Sequence, residues 1–74
     1  MNILVAGATG ALGRQLVPRL VAAGHQVAGM TRSEAKRADL RAMGATPVVA
    51  DALDPDQVAR VVAEAAPEAI IHEL

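Results

Sequence analysis

The sequence VAGATGALGRQL, residues 5–16, decides the fold of this 74-residue chain. A short apolar run, Asn2–Ala6, leads into three glycines, Gly7, Gly10 and Gly13. From Leu12 onward the apolar residues recur at the spacing of a helix. An apolar run of this length is typical of a strand covered on both faces, so the stretch predicts a strand, a glycine turn and a helix.

The predicted helix after the glycines has one apolar stripe and ends at Gly24. We expect the stripe to be formed by Leu12, Leu16, Leu20 and Ala23, with Val17 and Val21 at its flanks. Pro18 falls inside the helix, on the polar face with Arg14 and Arg19. Water can satisfy the carbonyl group that the proline ring leaves without a partner there.

The rest of the chain alternates strands with helices. Three further strands are predicted at Gln26–Thr31, Thr46–Ala50 and Glu68–His72. Ser33 is expected to cap a helix that runs to about Met43 and ends at Gly44. Asp54 is expected to cap the last helix, with Pro55 at its first position, Gln57 three residues past the cap and Pro67 after its end.

This alternation implies right-handed crossovers and a parallel sheet. We expect an α/β fold of Rossmann type, with strand order 3-2-1-4, helices on both faces, and the topology of an incomplete half of a doubly wound fold. Residues 1–74 are predicted to be the N-terminal part of one such domain. A chain this short buries only about 60% of its unfolded surface, so its stability in isolation should be marginal.

The composition excludes several classes of protein. The net charge is −1 and there is no cysteine, which argues against a nucleic-acid partner and a disulfide framework. His25 and His72 are too few and too far apart for a metal site. The first residues carry neither a signal peptide nor a membrane span, so we expect a cytoplasmic chain without a membrane partner.

The glycine spacing suits an anion. Gly7 allows a tight turn, Gly10 allows close approach of an anion, and Gly13 allows the helix to pack closely on the strand. The helix then directs its unpaired N–H groups at the ligand, and a pyrophosphate fits there. The alternative is that these glycines only turn the chain. No Gly-Lys-Ser/Thr follows them, so the motif is not a P-loop.

Three motifs carry a family resemblance, namely GATGALGR (residues 7–14), GMTRS (29–33) and VVADALD (48–54). The chain resembles the extended and atypical short-chain dehydrogenase/reductases, including the NAD-dependent epimerase/dehydratase and NmrA-like groups. The resemblance implies that backbone amides around residues 10–12 bind the pyrophosphate and that Asp51, Ala52 and Leu53 flank the adenine. The expected cofactor-binding residues are Gly7, Thr9, Gly10, Ala11, Leu12, Gly13, Arg32, Ser33, Asp51, Ala52 and Leu53.

The end of the second strand favours NADP over NAD. An NAD-specific site places a carboxylate there for the ribose 2′-hydroxyl, whereas this chain has Arg32 and Ser33. A guanidinium fork and a hydroxyl suit a 2′-phosphate, and Arg14 or Lys36 could add charge. The alternative is that Arg32 only solvates a surface helix, as is expected of Arg37 and Arg41.

No catalytic residue is assigned. Related enzymes that transfer hydride use a tyrosine and a lysine on a later helix, and this chain contains no tyrosine. His72 or Glu73 would be the proton donors within reach, and Glu73 stands where relatives usually carry a small or apolar residue. His25 lies at the wrong end of the sheet. The chain alone is therefore predicted to be inactive.

Three interpretations of function remain open. The first is the cofactor-binding part of an NADP-dependent oxidoreductase or epimerase-like enzyme. The second is a non-catalytic NADP sensor of the NmrA-like kind, and the third is a structural fragment that binds nothing. Besides the dinucleotide, the expected partner at the open edge Ala69–His72 is the remainder of the protein or another copy of the chain.

Overall fold

The computed structural model describes residues 1–72 and contains four strands and three α-helices. In chain order they are β1 (Asn2–Ala6), α1 (Ala11–Ala22), β2 (Gln26–Thr31), α2 (Arg37–Ala42), β3 (Thr46–Val49), α3 (Pro55–Ala65) and β4 (Ala69–His72). A 3₁₀ turn, Glu34–Lys36, precedes α2. All strand pairs are parallel and the sheet order is β3-β2-β1-β4. The predicted α/β class and strand order are confirmed.

Strand β1 lies at the centre of the sheet and is buried on both faces. Ile3 pairs with Val27 of β2 on one side and with Ala69 of β4 on the other. Strand β3 lies at an edge and contains Pro47, opposite Gly29 of β2. A proline has no N–H to donate, so it is tolerated on an edge strand.

Each face of the sheet carries its own aliphatic core. On one face, Val5 of β1 packs with Val17 of α1 and Leu40 of α2. On the other face, Leu4 and Met30 pack with Val61 of α3. Alternate residues of each strand point to opposite faces, so the single strand β1 contributes to both cores. Helices therefore cover both faces, as predicted.

The apolar stripe of α1 was predicted wrongly at both ends, since Ala23 is exposed and is the C-cap residue rather than part of the helix. Leu12 is 69% exposed, whereas Val17, expected at a flank, is fully buried. Gly13 and Val17 are the buried residues of the helix, and Leu16 and Leu20 are only half-buried. The reason is tertiary: the face of α1 that packs on the core runs through Gly13, Val17 and Leu20, and Leu12 lies to the side of that face.

The prediction of a single helix capped by Ser33 is also wrong. The chain instead forms the 3₁₀ turn and then the short helix α2, and the Ser33 side chain makes no capping hydrogen bond. The Ser33 backbone N–H donates to the Thr31 hydroxyl at 3.2 Å, and its carbonyl accepts from Lys36 at 3.1 Å. Ser33 thus stays close to the end of β2.

The other helix ends follow the predicted chemistry. Gly24 and Gly44 adopt φ of +93° and +87° after α1 and α2, and the Asp54 carboxylate accepts from the N–H groups of Asp56 and Gln57. Helix α3 ends with Ala66 at φ +44°, directly before Pro67. Strands β3 and β4 are each one residue shorter than predicted, without Ala50 and Glu68.

Candidate functional site

A cleft of about 700 Å³ opens at the carboxyl ends of β1, β2 and β3. The loop after β1 contributes Gly7 and Thr9 to its lining. The loop after β2 contributes Arg32, Ser33 and Lys36, and the loop after β3 contributes Asp51, Ala52 and Leu53. Ligands of open parallel sheets bind outside the carboxyl ends of the strands, so this is the expected place for a site.

The glycine turn is built from close backbone contacts. Gly7 has φ +78°, a conformation that only glycine adopts without strain. A Cβ added at Gly13 would lie 2.4 Å from the carbonyl oxygen of Ala8, whereas one added at Gly10 would meet the Gly7 oxygen at 3.3 Å. Gly7 and Gly13 are therefore required by the backbone itself. Gly10 is exposed and is the last residue before α1.

The N-terminus of α1 is left open to an anion. Its N-cap residue is Gly10, no side chain among residues 1–72 caps it, and its first turn contains no acidic residue. By contrast, α3 begins with the Asp54 cap and has Asp56 in its first turn. The first N–H groups of a helix lack partners within it and carry its positive dipole end. The backbone amides at the start of α1 are therefore open to an anion.

Thr31 joins the first two loops of the cleft, a role that the sequence pattern did not predict. This buried residue, 8% exposed, places its hydroxyl 3.4 Å from the Thr9 hydroxyl and accepts the Ser33 N–H. Threonine two residues before a backbone donor is typical of a side-chain turn. That local pattern was visible in the sequence, but the contact with Thr9 was not.

Basic side chains gather on the β2 side of the cleft. Arg32 is exposed, lines the cleft and forms no ion pair within residues 1–72. Arg14 donates through Nε to the Thr9 carbonyl at 3.0 Å and through Nη2 to Asp39 Oδ2 at 3.2 Å. The Lys36 Nζ lies 4.0 Å from the same Asp39 oxygen. Arg37 pairs instead with Glu34, outside the cleft lining.

The loop after β3 is held by a chain of side-chain hydrogen bonds. Asp51 Oδ1 accepts from the Leu53 N–H at 2.9 Å, and the Asp51 N–H donates to Gln57 Oε1 at 2.8 Å. The Gln57 amide group in turn donates to Asp54 Oδ2 at 3.1 Å. Hydrogen bonds from Gln57 hold the pKa of the Asp54 carboxyl below its usual range. Gln57 thus connects the Asp54 cap of α3 to the loop after β3. This connection was not predicted from the sequence.

Neither histidine joins this cleft. His72 is paired with Ala6 at the end of β4, outside the cleft lining. His25 lies at the amino end of the sheet, as expected, and its Nδ1 is buried without a hydrogen-bond partner among the described residues. The expectation for Glu73 lies outside the described residues.

Within residues 1–72 no three histidine, cysteine, aspartate or glutamate side chains come together as metal ligands would. None of the helices in this range has the length and apolar character needed to cross a bilayer. The cytoplasmic location stays a prediction.

A parallel sheet with a glycine turn, an open helix N-terminus and a cleft at its carboxyl edge defines a Rossmann-type dinucleotide-binding unit. The chain belongs to the NAD(P)H-binding family, whose model matches residues 7–73. Its cofactor is therefore a nicotinamide dinucleotide. The NAD(P)-binding family expected from the three motifs is therefore confirmed.

Relatives of known sequence include a reductase. The chain is 42% identical over 74 residues to the 3-diazoavenalumate denitrifying reductase of Streptomyces sp., covering 100% of this chain and 23% of the reductase. It is 42% identical to an uncharacterised protein of Schizosaccharomyces pombe, covering 97% of this chain and 24% of that protein. A third relative, 43% identical over 56 residues, is the photosystem II assembly factor Ycf39 of Synechocystis, covering 76% of this chain and 17% of the factor. The chain spans about a quarter or less of these curated relatives.

Solved structures share the fold. The TT0495 protein from Thermus thermophilus superimposes with a TM-score of 0.79 at 26% identity, covering 99% of this chain and 33% of that protein. A Bacillus halodurans protein assigned to the NAD-dependent epimerase/dehydratases superimposes with a TM-score of 0.77 at 33% identity. The match covers 95% of this chain and 31% of that protein. The strand order of this chain thus matches that of NAD(P)-binding structures.

Proposed function

We propose that residues 1–74 form the NADP-binding part of a larger NADP-dependent oxidoreductase or epimerase-like protein. One observation carries the proposal: Arg32 and Ser33, which follow the carboxyl end of β2, line the same cleft as the glycine turn. The chain spans about a quarter of its reductase relative, which supports the view that further sequence completes the protein.

The 2′-phosphate is assigned to Arg32 and Ser33. A carboxylate at this place would accept from a ribose 2′-hydroxyl and repel a 2′-phosphate. Arg32 offers a planar donor fork that matches phosphate geometry, and no carboxylate within residues 1–72 occupies that fork. Lys36 lines the same cleft and adds a second cation.

The loops after β1 and β3 are proposed to bind the pyrophosphate and the adenine. The amides of residues 10–12 at the start of α1 would hold the pyrophosphate, and no acidic side chain competes there. Asp51 uses Oδ1 for the Leu53 N–H, so its other oxygen is available for the adenine amino group. Ala52 and the exposed Leu53 would flank the adenine ring.

Chemistry beyond binding is assigned to sequence outside these residues. The nicotinamide supplies or accepts the hydride when it is bound. The chain holds and orients the cofactor, but it contains no tyrosine to protonate a carbonyl substrate. We therefore propose that the chain alone is inactive and that the catalytic residues come from the rest of the protein.

Nucleotide titration of the full-length protein tests the proposal. We expect NADPH to bind about tenfold or more tightly than NADH, since hydrogen bonds to charged groups contribute about 1.5–3 kcal/mol. The adenosine fragment 2′,5′-ADP should displace NADPH, whereas 5′-AMP should displace it only at far higher concentration. Equal affinity for NADPH and NADH would refute the assignment to NADP.

A second candidate function is a non-catalytic NADP sensor. It is favoured by the likeness to Ycf39, whose name describes an assembly factor. A tyrosine missing from the rest of the protein as well would favour it further. The enzyme would oxidise NADPH in the presence of its substrate, whereas the sensor would bind NADPH without oxidising it. A full-length protein that binds NADPH but oxidises it with no member of a panel of carbonyl substrates would favour the sensor over the enzyme.

The β4 edge is proposed as the surface that joins this unit to its partner. Ile70 of β4 is 51% exposed, whereas Ile71 packs partly against the core beneath α1. Only β1 pairs with β4 among the described residues, so the outer backbone groups of β4 are free to pair. Light scattering of residues 1–74 should show self-association, and a stable monomer at low concentration would contradict this.

A further inference from the structure

The Asp39 carboxylate lies between two cations on the β2 side of the cleft. Arg14 Nη2, from α1, is 3.2 Å from Asp39 Oδ2, and Lys36 Nζ is 4.0 Å from the same oxygen. All three side chains are close to half exposed. One negative charge is therefore shared by two positive charges beside the position proposed for the 2′-phosphate.

We infer that Asp39 determines cofactor selectivity by acting as a counter-charge that weakens the attraction of Arg14 and Lys36 for the 2′-phosphate. The inference rests on the proposed function, because it concerns the same cleft. Its consequence is that the native chain discriminates between NADP and NAD less strongly than its basic residues alone would allow.

Arg14 does not depend on Asp39 for its position. Its Nε donates to the Thr9 carbonyl at 3.0 Å, and Thr9 is itself part of the cleft lining. Arg14 is further fixed at its backbone, because its N–H donates to the Gly10 carbonyl at 2.9 Å. Removing the charge of Asp39 should therefore leave the guanidinium near the cleft but without its neutralising partner.

The effect should fall on NADPH more than on NADH. The 2′-phosphate adds about two negative charges that NADH lacks, and charges at a surface act over about 10 Å at 0.1 M salt. Any gain through the pyrophosphate is common to both nucleotides. A change in the ratio of the two affinities thus isolates the 2′-phosphate.

Asp39→Asn is the sharpest variant, since asparagine keeps the size of the side chain and an acceptor oxygen for Arg14 while it removes the charge. Asp39→Ser is a second variant that removes the charge with a smaller side chain. Glu64→Gln is the matched control: it also removes one negative charge, but Glu64 lines a groove with Asn2 and Gln26 at the opposite end of the sheet.

The measurement is the dissociation constant of NADPH and of NADH for the full-length protein at about 50 mM and about 500 mM salt. Asp39→Asn should bind NADPH about three- to tenfold more tightly at low salt, with a smaller gain at high salt and less than about a twofold change for NADH. Asp39→Ser should shift in the same direction, and Glu64→Gln should change neither affinity.

Unchanged or weaker NADPH binding by Asp39→Asn, or equal gains for the two nucleotides, would overturn the inference while leaving the proposed function intact. A wild-type protein that prefers NADH would contradict the proposed function independently of what the Asp39 variants do. Wild-type protein that binds neither nucleotide would overturn both.

Discussion

Gly13 of α1 packs directly on the backbone of Ala8, so that a Cβ at position 13 would lie 2.4 Å from the Ala8 carbonyl oxygen and 2.7 Å from its α-carbon. Ala8 is fully buried, and its N–H donates to the Met30 carbonyl at 3.3 Å. The backbone at Ala8 therefore has little room to move away. This contact fixes the distance between the helix N-terminus and the sheet, on which the whole cleft depends.

Gly13→Ala should destabilise the protein although alanine favours helices. The helix propensity of alanine would contribute about 1 kcal/mol, but the overlap with Ala8 must push α1 away, and overpacking of this kind costs about 1–3 kcal/mol or more. Chemical denaturation should show a lower midpoint. Gln15→Ala, on the exposed face of α1, is the control and should be neutral or slightly stabilising. Equal stability of Gly13→Ala and wild type would contradict the close packing.

Much of the fold was predictable because it follows from periodicity. The alternation of apolar strands and amphipathic helices predicted the parallel sheet, and the order usual for doubly wound folds supplied its strand order. Gly24, Gly44 and Asp54 marked helix ends through local chemistry. The error at Leu12 has a different origin. Its exposure depends on which face of α1 packs on the core, a tertiary property that the spacing of leucines does not contain.

The candidate site was predictable where its residues follow strands directly. Arg32, Ser33 and Asp51 stand within two residues of the ends of β2 and β3, so their place at the carboxyl edge followed from the fold. The roles of Thr31 and Asp39 did not follow, since their partners Thr9 and Arg14 lie 22 and 25 residues away in the chain. Such contacts require the packed structure.

Arg32→Ala tests the residue that carries the cofactor assignment. Loss of the guanidinium should weaken NADPH binding by about 1.5–3 kcal/mol and leave NADH nearly unchanged, because only NADPH has the 2′-phosphate. Isothermal titration of both nucleotides measures this. Arg41→Ala is the matched control, because Arg41 is exposed and outside the cleft lining. A similar loss for NADPH and NADH would show that Arg32 does not contact the 2′-phosphate.

Gly10→Val separates the turn from the binding role. Gly10 has φ −72° and ψ 174°, an extended conformation open to valine. A Cβ there would meet the Gly7 oxygen at 3.3 Å, a contact that a small shift of the turn relieves, so the fold should survive. The branched side chain would project where the pyrophosphate approaches, and both nucleotides should bind roughly ten- to a hundredfold more weakly. Circular dichroism checks the helix content, and Ala22→Val on the exposed end of α1 is the control. Unchanged affinity would mean that the glycine turn does not touch the cofactor.

Asp54→Ala should show a pH-dependent loss of stability. The pKa of Asp54 is lowered in the folded protein, chiefly by its hydrogen bonds with Gln57, so its ionised form stabilises the fold. The advantage of wild type over Asp54→Ala is therefore fully present above the ordinary aspartate pKa, near 3.8, and is lost as the pH falls through the lowered folded value. Thermal melts between neutral and strongly acidic pH measure the difference. A constant difference across that range would exclude the charged cap as its source.

Ala66→Gly should stabilise the protein at the end of α3. Ala66 has φ +44°, the left-handed conformation that costs a non-glycine residue about 1–2 kcal/mol, and the following Pro67 disfavours a further helical residue there. Glycine relieves that strain but loses more chain entropy on folding, so the net gain should be about 0.5–1 kcal/mol. The midpoint of urea unfolding should rise. Ala63→Gly, inside α3 and exposed, is the matched control and should lose roughly 0.5–1 kcal/mol, because there glycine brings only the entropy cost. A loss of stability in both variants would show that position 66 is not strained.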